Sequence, residues 1–298
     1  MSQFNHPPLV QPALSREIAP GVLVIPDQHI DLVPNIGIVI GTDAVLVVDC
    51  GMGRENGQQV LHKAMEVAAG KRLLLTTTHF HPEHAFGAQP FKGYATILTN
   101  TTQADEMQEK GAFFLTLFRD MGPDVHKALE GVELVMPDET YQGEKTIDLG
   151  GKQVVLRELP GHTRGDQIVF LPHEQVLFTG DLVENRLFPI FPDQDASVGQ
   201  WSEALAQMIR LSPQMVIPGH GELGTVELLQ EFQDHLLFAR QEVSHRVKEG
   251  QALERIDQEG SQIIKERYRE WGNDRWIPLE IHSMYSEITG EPLILPAF

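Results

Sequence analysis

Apolar positions in this chain come mostly in short unbroken runs, each closed by turn formers. Gly21-Val22-Leu23-Val24-Ile25, Ile36-Gly37-Ile38-Val39-Ile40 and Ala44-Val45-Leu46-Val47-Val48 have the length and β-branched content of buried strands. Gly41-Thr42-Asp43 supplies a tight turn between the last two, and Asp49-Cys50-Gly51 closes the third. The period then changes: over 57–69, Val60, Leu61, Ala64, Met65 and Ala68 recur at helical spacing and predict an amphipathic helix. Leu73-Leu74-Leu75-Thr76-Thr77 returns to strand and runs directly into a cluster of histidines. Later the plan repeats, with strands over 153–156, 167–171 and 175–179, the last ending at Gly180-Asp181, then a helix over 200–211 and a strand over 215–217.

The segments 36–49 and 167–181 share one order: strand, polar turn, strand, Asp. That similarity suggests two related α/β halves whose sheets pack face to face between outer helices, a four-layer αββα sandwich. From Thr225 the pattern turns helical, with Val243, Val247, Leu253 and Ile256 at helical spacing, and predicts appended C-terminal helices. The expected division is therefore 1–225 for the sandwich and 226–298 for a helical extension packed on it. Trp271, Trp276 and Tyr285 are expected to pack against the sandwich. The stretch 107–131, with Phe113, Phe114, Leu115, Leu117, Phe118 and Met121, reads equally as core or as a lid over a pocket.

With 298 residues, 41% of them hydrophobic and 22% charged, the chain has the makings of a sizeable core and none of the signatures of disorder, collagen or a coiled-coil rod. Its 23 basic and 42 acidic residues leave a formal charge of −19, a field that repels nucleic acid and anionic membrane, and no basic patch interrupts it. The first residues lack a signal-peptide pattern, and no apolar run approaches the roughly 18 residues of a membrane span. A cytoplasmic protein free in solution is the expectation. A single cysteine, Cys50, excludes an internal disulfide and a cysteine-rich metal cluster, so any metal must be held by imidazole and carboxylate.

Thr78-His79-Phe80-His81-Pro82-Glu83-His84 gathers three histidines and a carboxylate at the end of a strand. In its extended part His79 and His81 project to one side, and the following turn brings Glu83 and His84 round beside them, enough for two adjacent metal positions. Three more candidates stand in glycine-containing turns after later strands: His162 in Pro160-Gly161-His162-Thr163-Arg164-Gly165-Asp166, Asp181 in Thr179-Gly180-Asp181, and His220 in Pro218-Gly219-His220-Gly221. Any one histidine has a packing explanation, but their joint recurrence at strand ends argues for a shared cleft. His6, His29, His62, His126, His173, His235, His245 and His282 lack such a context. Cys50, next to Asp49, reads as a small buried filler, with a place near the metals as the alternative, and Arg186 either reaches a substrate carboxylate or forms a salt bridge.

The order of these motifs over about residues 20–225 resembles the metallo-β-lactamase superfamily, and within it the glyoxalase II-like binuclear hydrolases more than the lactamases proper. The resemblance implies the same αββα fold. It also implies a first metal on His79, His81 and His162, a second on Glu83, His84 and His220, and Asp181 bridging the two. Asp49 is similar to the Asp that orients a metal-binding histidine in that family; a helix-capping or turn role is the alternative. The family pattern has Asp where Glu83 stands, so Glu83 either ligates through an adjusted loop or serves as a catalytic proton carrier. Where lactamases carry Cys or Ser this chain has Asp181, which argues against antibiotic hydrolysis.

The implied function is a metal-dependent hydrolase using a metal-bridging hydroxide on a small carbonyl substrate: a thioester, lactone, ester or amide. Two divalent transition metals are the implied cofactors, zinc first and iron or manganese as alternatives. A phosphodiesterase or nuclease of the same superfamily, a persulfide dioxygenase-like mononuclear iron oxidoreductase, and a catalytically silent binding protein are the rival readings.

Overall fold

The first strands form an antiparallel meander: β1 (Arg16–Ala19), β2 (Val22–Ile25), β3 (Ile36–Ile40) and β4 (Ala44–Val48). Helix α1 (Gly53–Ala68) then crosses over to β5 (Arg72–Thr76), which pairs parallel to β4. The one-turn helix α2 (Pro82–Ala85) leads to β6 (Ala95–Asn100), and α3 (Thr101–Arg119) and α4 (Pro123–Ala128) lead to β7 (Glu139–Tyr141); both strands extend the sheet in parallel. In the computed structural model, which describes residues 6–192 and 194–296, this first sheet has seven strands in sequential order. The second sheet repeats the scheme. β8 (Glu144–Asp148), β9 (Gln153–Glu158), β10 (Gln167–Leu171) and β11 (Val176–Glu184) run antiparallel, and α5 (Val198–Arg210) crosses over to β12 (Met215–His220), parallel to β11.

The alternation of side chains along a strand sorts the continuous apolar runs into two layers. On β4, Ala44, Leu46 and Val48 face the other sheet, where they meet Leu156, Val169, Leu171 and Phe178. Val45 and Val47 face the opposite way, onto Val60, Leu61 and Ala64 of α1. On the outer face of the second sheet, Ile168, Phe170, Leu177 and Val216 pack with Trp201, Leu205 and Met208 of α5. Helix, sheet, sheet, helix is therefore the order of layers, the αββα sandwich.

Helices α6 (Val226–Lys248), α7 (Leu253–Arg267) and α8 (Ile277–Thr289) follow. Their Leu229, Phe232, Leu236, Ile264, Ile281 and Met284 belong to the same apolar cluster as Trp201 and Leu177. Trp271 is buried in that cluster, and Trp276 and Tyr285 pack against it. Among the described residues no helix is long and apolar enough to cross a membrane.

Three local expectations change. Met65 is exposed because the buried stripe of α1 is narrower than the sequence suggested and Met65 lies at its rim. The polar edge strands β1 and β8 carry no clean alternation and were not legible. The strand expected over 175–179 runs on to Glu184, so Asp181 lies inside a fully buried strand and not in a turn.

Candidate metal centre

All seven predicted ligand residues come together at one end of the seam between the sheets. His79, His81 and His162 form one group whose candidate ligand atoms lie within 4.8 Å of one another, and Glu83, His84, Asp181 and His220 form a second. In the first, His79 Nε2 and His162 Nε2 each stand 3.0 Å from His81 Nδ1. Asp181 turns one oxygen to each group. Its Oδ2 is 3.8 Å from both His79 Nε2 and His162 Nε2, while Oδ1 is 3.2 Å from His84 Nε2 and 3.7 Å from His220 Nε2.

The backbone explains this convergence. β5 ends at Thr76, His79 and His81 follow in extended chain, and Pro82 opens α2, whose single turn carries Glu83 and His84 inward. Asp181 sits at an irregularity in the β11–β12 register, with Gly180 at φ +54°, which turns the carboxylate toward the seam. Gly219 lies against it: a Cβ there would stand 1.9 Å from Asp181 Oδ1. His220 ends β12 instead of standing in a turn after it, and this strand end is clasped from the first sheet, since Asn35 Nδ2 donates to the carbonyls of Pro218 and Gly221, and Asp27 accepts from Gly221 N–H.

Three of the imidazoles have their second ring nitrogen fixed. His84 Nδ1 is 2.9 Å from Asp49 Oδ2, His162 Nδ1 is 2.9 Å from the Ile190 carbonyl, and His79 Nδ1 is 3.2 Å from Thr78 Oγ1. Partners of this kind set ring orientation and tautomer in metal sites. Asp49 also accepts from the Thr78 backbone N–H at 2.6 Å and its hydroxyl at 3.0 Å, so it locks strand end and imidazole together. Asp166 does the same for the His162 loop, accepting from His162 and Thr163 N–H. Helix α3, N-capped by Asn100, ties to that loop as well: Asn100 Nδ2 donates to the Gly165 carbonyl and Glu106 accepts from Gly165 N–H.

The electrostatics describe a site short of positive charge. Burial, then the neighbouring imidazoles, pull His79 and His81 well below the ordinary histidine range, leaving neutral rings with lone pairs to donate. Burial also opposes charge on His84, but the neighbouring carboxylates Asp181 and Asp49 outweigh it and raise that ring above the ordinary histidine range. Burial pushes Glu83 up to about 7, with Asp181 adding to the effect against His84. Asp181 is drawn well below the carboxylate range despite its burial, chiefly by His84 and His220. Buried polar atoms facing this end, His84 Nε2, Glu83 Oε2 and Asp181 Oδ1, make no hydrogen bond. Orphaned buried polar atoms of this density are costly, and divalent cations would take up the lone pairs among them. The donor set, imidazole and carboxylate, fits such ions.

The remaining sequence candidates divide. Cys50 is buried and free. His235 and His282 are buried in the C-terminal helices, away from both groups. Arg186 is exposed at φ 57°. In the ambiguous stretch 107–131, Phe114 is buried and stacks on the His81 ring at 4.8 Å, while Phe113 and Leu117 face solvent. The sequence reading missed Glu184, 2% exposed, because it ended the strand too early. It also missed Asn35, Asp27 and Asp166, whose turn chemistry carries no motif that singles them out.

An αββα sandwich with two imidazole–carboxylate groups joined by one aspartate at the seam defines a class of sandwich proteins built around a candidate metal centre. The family model of the metallo-beta-lactamase superfamily matches residues 30–220, and the chain belongs to that superfamily. It is 27% identical over 205 residues to the acyl-coenzyme A thioesterase MBLAC2 of Homo sapiens, covering 62% of this chain and 72% of that one. A metallo-beta-lactamase type 2 of Bacteroides fragilis is 31% identical over 101 residues, 33% of this chain and 41% of that one. Among solved structures, the metallo-beta-lactamase from Pontibacter korlensis superposes with a TM-score of 0.62 at 20% identity, over 75% of this chain and 98% of that chain. A double mutant of the sec-alkyl sulfatase PisA1 reaches 0.69 at 15% identity, over 93% and 50%. Likeness at such identities speaks to fold alone.

Proposed function

We propose that this protein is a binuclear metal-dependent hydrolase whose substrates are small acyl thioesters. The observation that carries the reading is Asp181, with one oxygen toward each of two complete ligand groups. His79, His81 and His162 would hold the first ion, Glu83, His84 and His220 the second, and Asp181 both. A divalent pair bound there, zinc first, supplies Lewis-acid activation of a carbonyl and a nucleophile available at neutral pH.

The chain's own residues do the rest. Asp49, Thr78 and the Ile190 carbonyl fix the imidazoles before substrate arrives. Glu83, buried beside His84 and Asp181, turns its carboxylate to the second group. The Phe114 ring walls the His81 side with an apolar surface suited to an acyl group. Water adds at the carbonyl carbon, the C–S bond breaks, and the products are a carboxylic acid and a thiol. The thioester class is favoured by the named activity of the MBLAC2 relative, and the −19 charge weighs against polynucleotides. A mononuclear iron reading leaves Glu83, His84 and His220 without a task.

The test is elemental analysis together with a substrate panel of acyl-coenzyme A thioesters, lactones, simple esters and RNA. Close to two metals per chain and chelator-sensitive thioester hydrolysis are expected. Efficient RNA cleavage, or no metal after growth in supplemented medium, overturns the reading.

A further inference from the structure

Glu184 is the buried acid that the two ligand groups leave out. It ends β11 three residues past Asp181 and is paired in the sheet with His220, so the strand delivers it beside the second group. The Ile190 backbone N–H donates to its carboxylate, and its Oε1 has no partner. The charged groups that act on it most strongly are Asp181, Glu83 and His84, all members of the second group. A buried acceptor left unmet is costly, and more so when charged. Its oxygens are not among those that lie mutually within 4.8 Å in the second group, although the strand pairs it directly with His220 of that group.

The two groups therefore differ in kind. The first offers three imidazoles and one Asp181 oxygen. The second offers two imidazoles against Glu83, Asp181 and, one layer out, Glu184. Carboxylate and water suit harder cations such as manganese(II), whereas an imidazole set suits zinc.

We propose that Glu184 is an outer carboxylate of the second cation site, accepting a hydrogen bond from a water on that cation, and that it equips this site for manganese(II) beside zinc at the three-imidazole site. The proposal rests on the two-cation reading of the centre, but not on its substrate. A purely architectural role, in which Glu184 only anchors Ile190 so that the Ile190 carbonyl meets His162, is separable from it. In Glu184→Gln the amide oxygen still accepts from Ile190 N–H, whereas the NH₂ group cannot accept from a water.

The experiment uses the full chain stripped of metal and reloaded with one equivalent of zinc, then titrated with manganese(II) and followed by electron paramagnetic resonance. One manganese is expected to bind beside the zinc. Glu184→Gln should weaken that manganese about 10- to 100-fold, the usual effect of losing an outer hydrogen-bond partner, with zinc affinity and circular dichroism unchanged. On the unaltered protein, double resonance should detect exchangeable water protons on the bound manganese. Failure of manganese to bind beside one zinc, equal manganese affinity in Glu184→Gln, or a manganese ion without water protons each overturns the proposal. No substrate enters these measurements, so a protein inactive on thioesters can still pass and an active thioesterase can fail.

Discussion

Cys50 sits between Asp49 and the start of α1, and burial followed by the Asp49 charge pushes its thiol well above the usual thiol range. Because the folded thiol keeps its proton to higher pH than the unfolded one, its contribution to stability is whole below the ordinary thiol pKa of about 8.5 and is lost as pH climbs through the folded value. Alkylation by iodoacetamide at pH 8 should accordingly be negligible in the native protein and rapid in denaturant; fast native labelling would show that the thiol reaches solvent. Glu83 is the other residue whose chemistry departs from its type. Its extra methylene is absorbed by α2, whose one turn places the carboxylate among His84, Asp181 and His220. Glu83→Asp draws the carboxylate back by about 1.5 Å and should weaken the second cation by about 10- to 100-fold or more. If Glu83→Asp and Glu83→Gln both bind two metals with native affinity, Glu83 is no ligand and its work is proton transfer.

At the scale of elements, β12 can lie close against Asp181 of β11 only because Gly219 has no side chain. Gly219→Ala puts a methyl where Oδ1 now lies, so the variant should fold, judged by circular dichroism, yet bind fewer than two metals; full occupancy would mean that the strands part easily. Strands of continuous apolar residues and the histidine turn after β5 were legible because each obeys a local rule of spacing. Asp181 was legible as a residue but not as part of a strand, since a register irregularity leaves no mark in the sequence. Glu184 was lost with it. The clasp of Asn35 and Asp27 on the His220 end of β12 spans 183 to 194 residues of chain, a distance over which no local pattern speaks. Phe114 and Phe113 read alike in sequence, and only the placement of α3 against the His81 ring separates the buried one from the exposed one.

In the molecule as a whole, the outer face of the second sheet is shared between α5 and the helices beyond residue 225. Ending the chain at 225 would bare Trp201, Leu177 and Val216, and the product should aggregate or melt far below the full chain; a soluble, cooperatively folding 1–225 fragment would show that the sandwich stands alone. The seam-edge position of the centre has a thermodynamic meaning too. Its candidate ligands run from His79 to His220 and come from both sheets, so ions held there would bind only a chain in which the sheets have already docked. By mass action, free metal at a hundred times its Kd would then add about 2.7 kcal/mol to folding stability, and chelation should lower Tm by roughly 4 °C in a chain of this size. On the two-cation reading, the availability of the metal would govern how long the protein stays folded as well as whether it works, so a cell starved of it would lose the protein itself to unfolding and proteolysis.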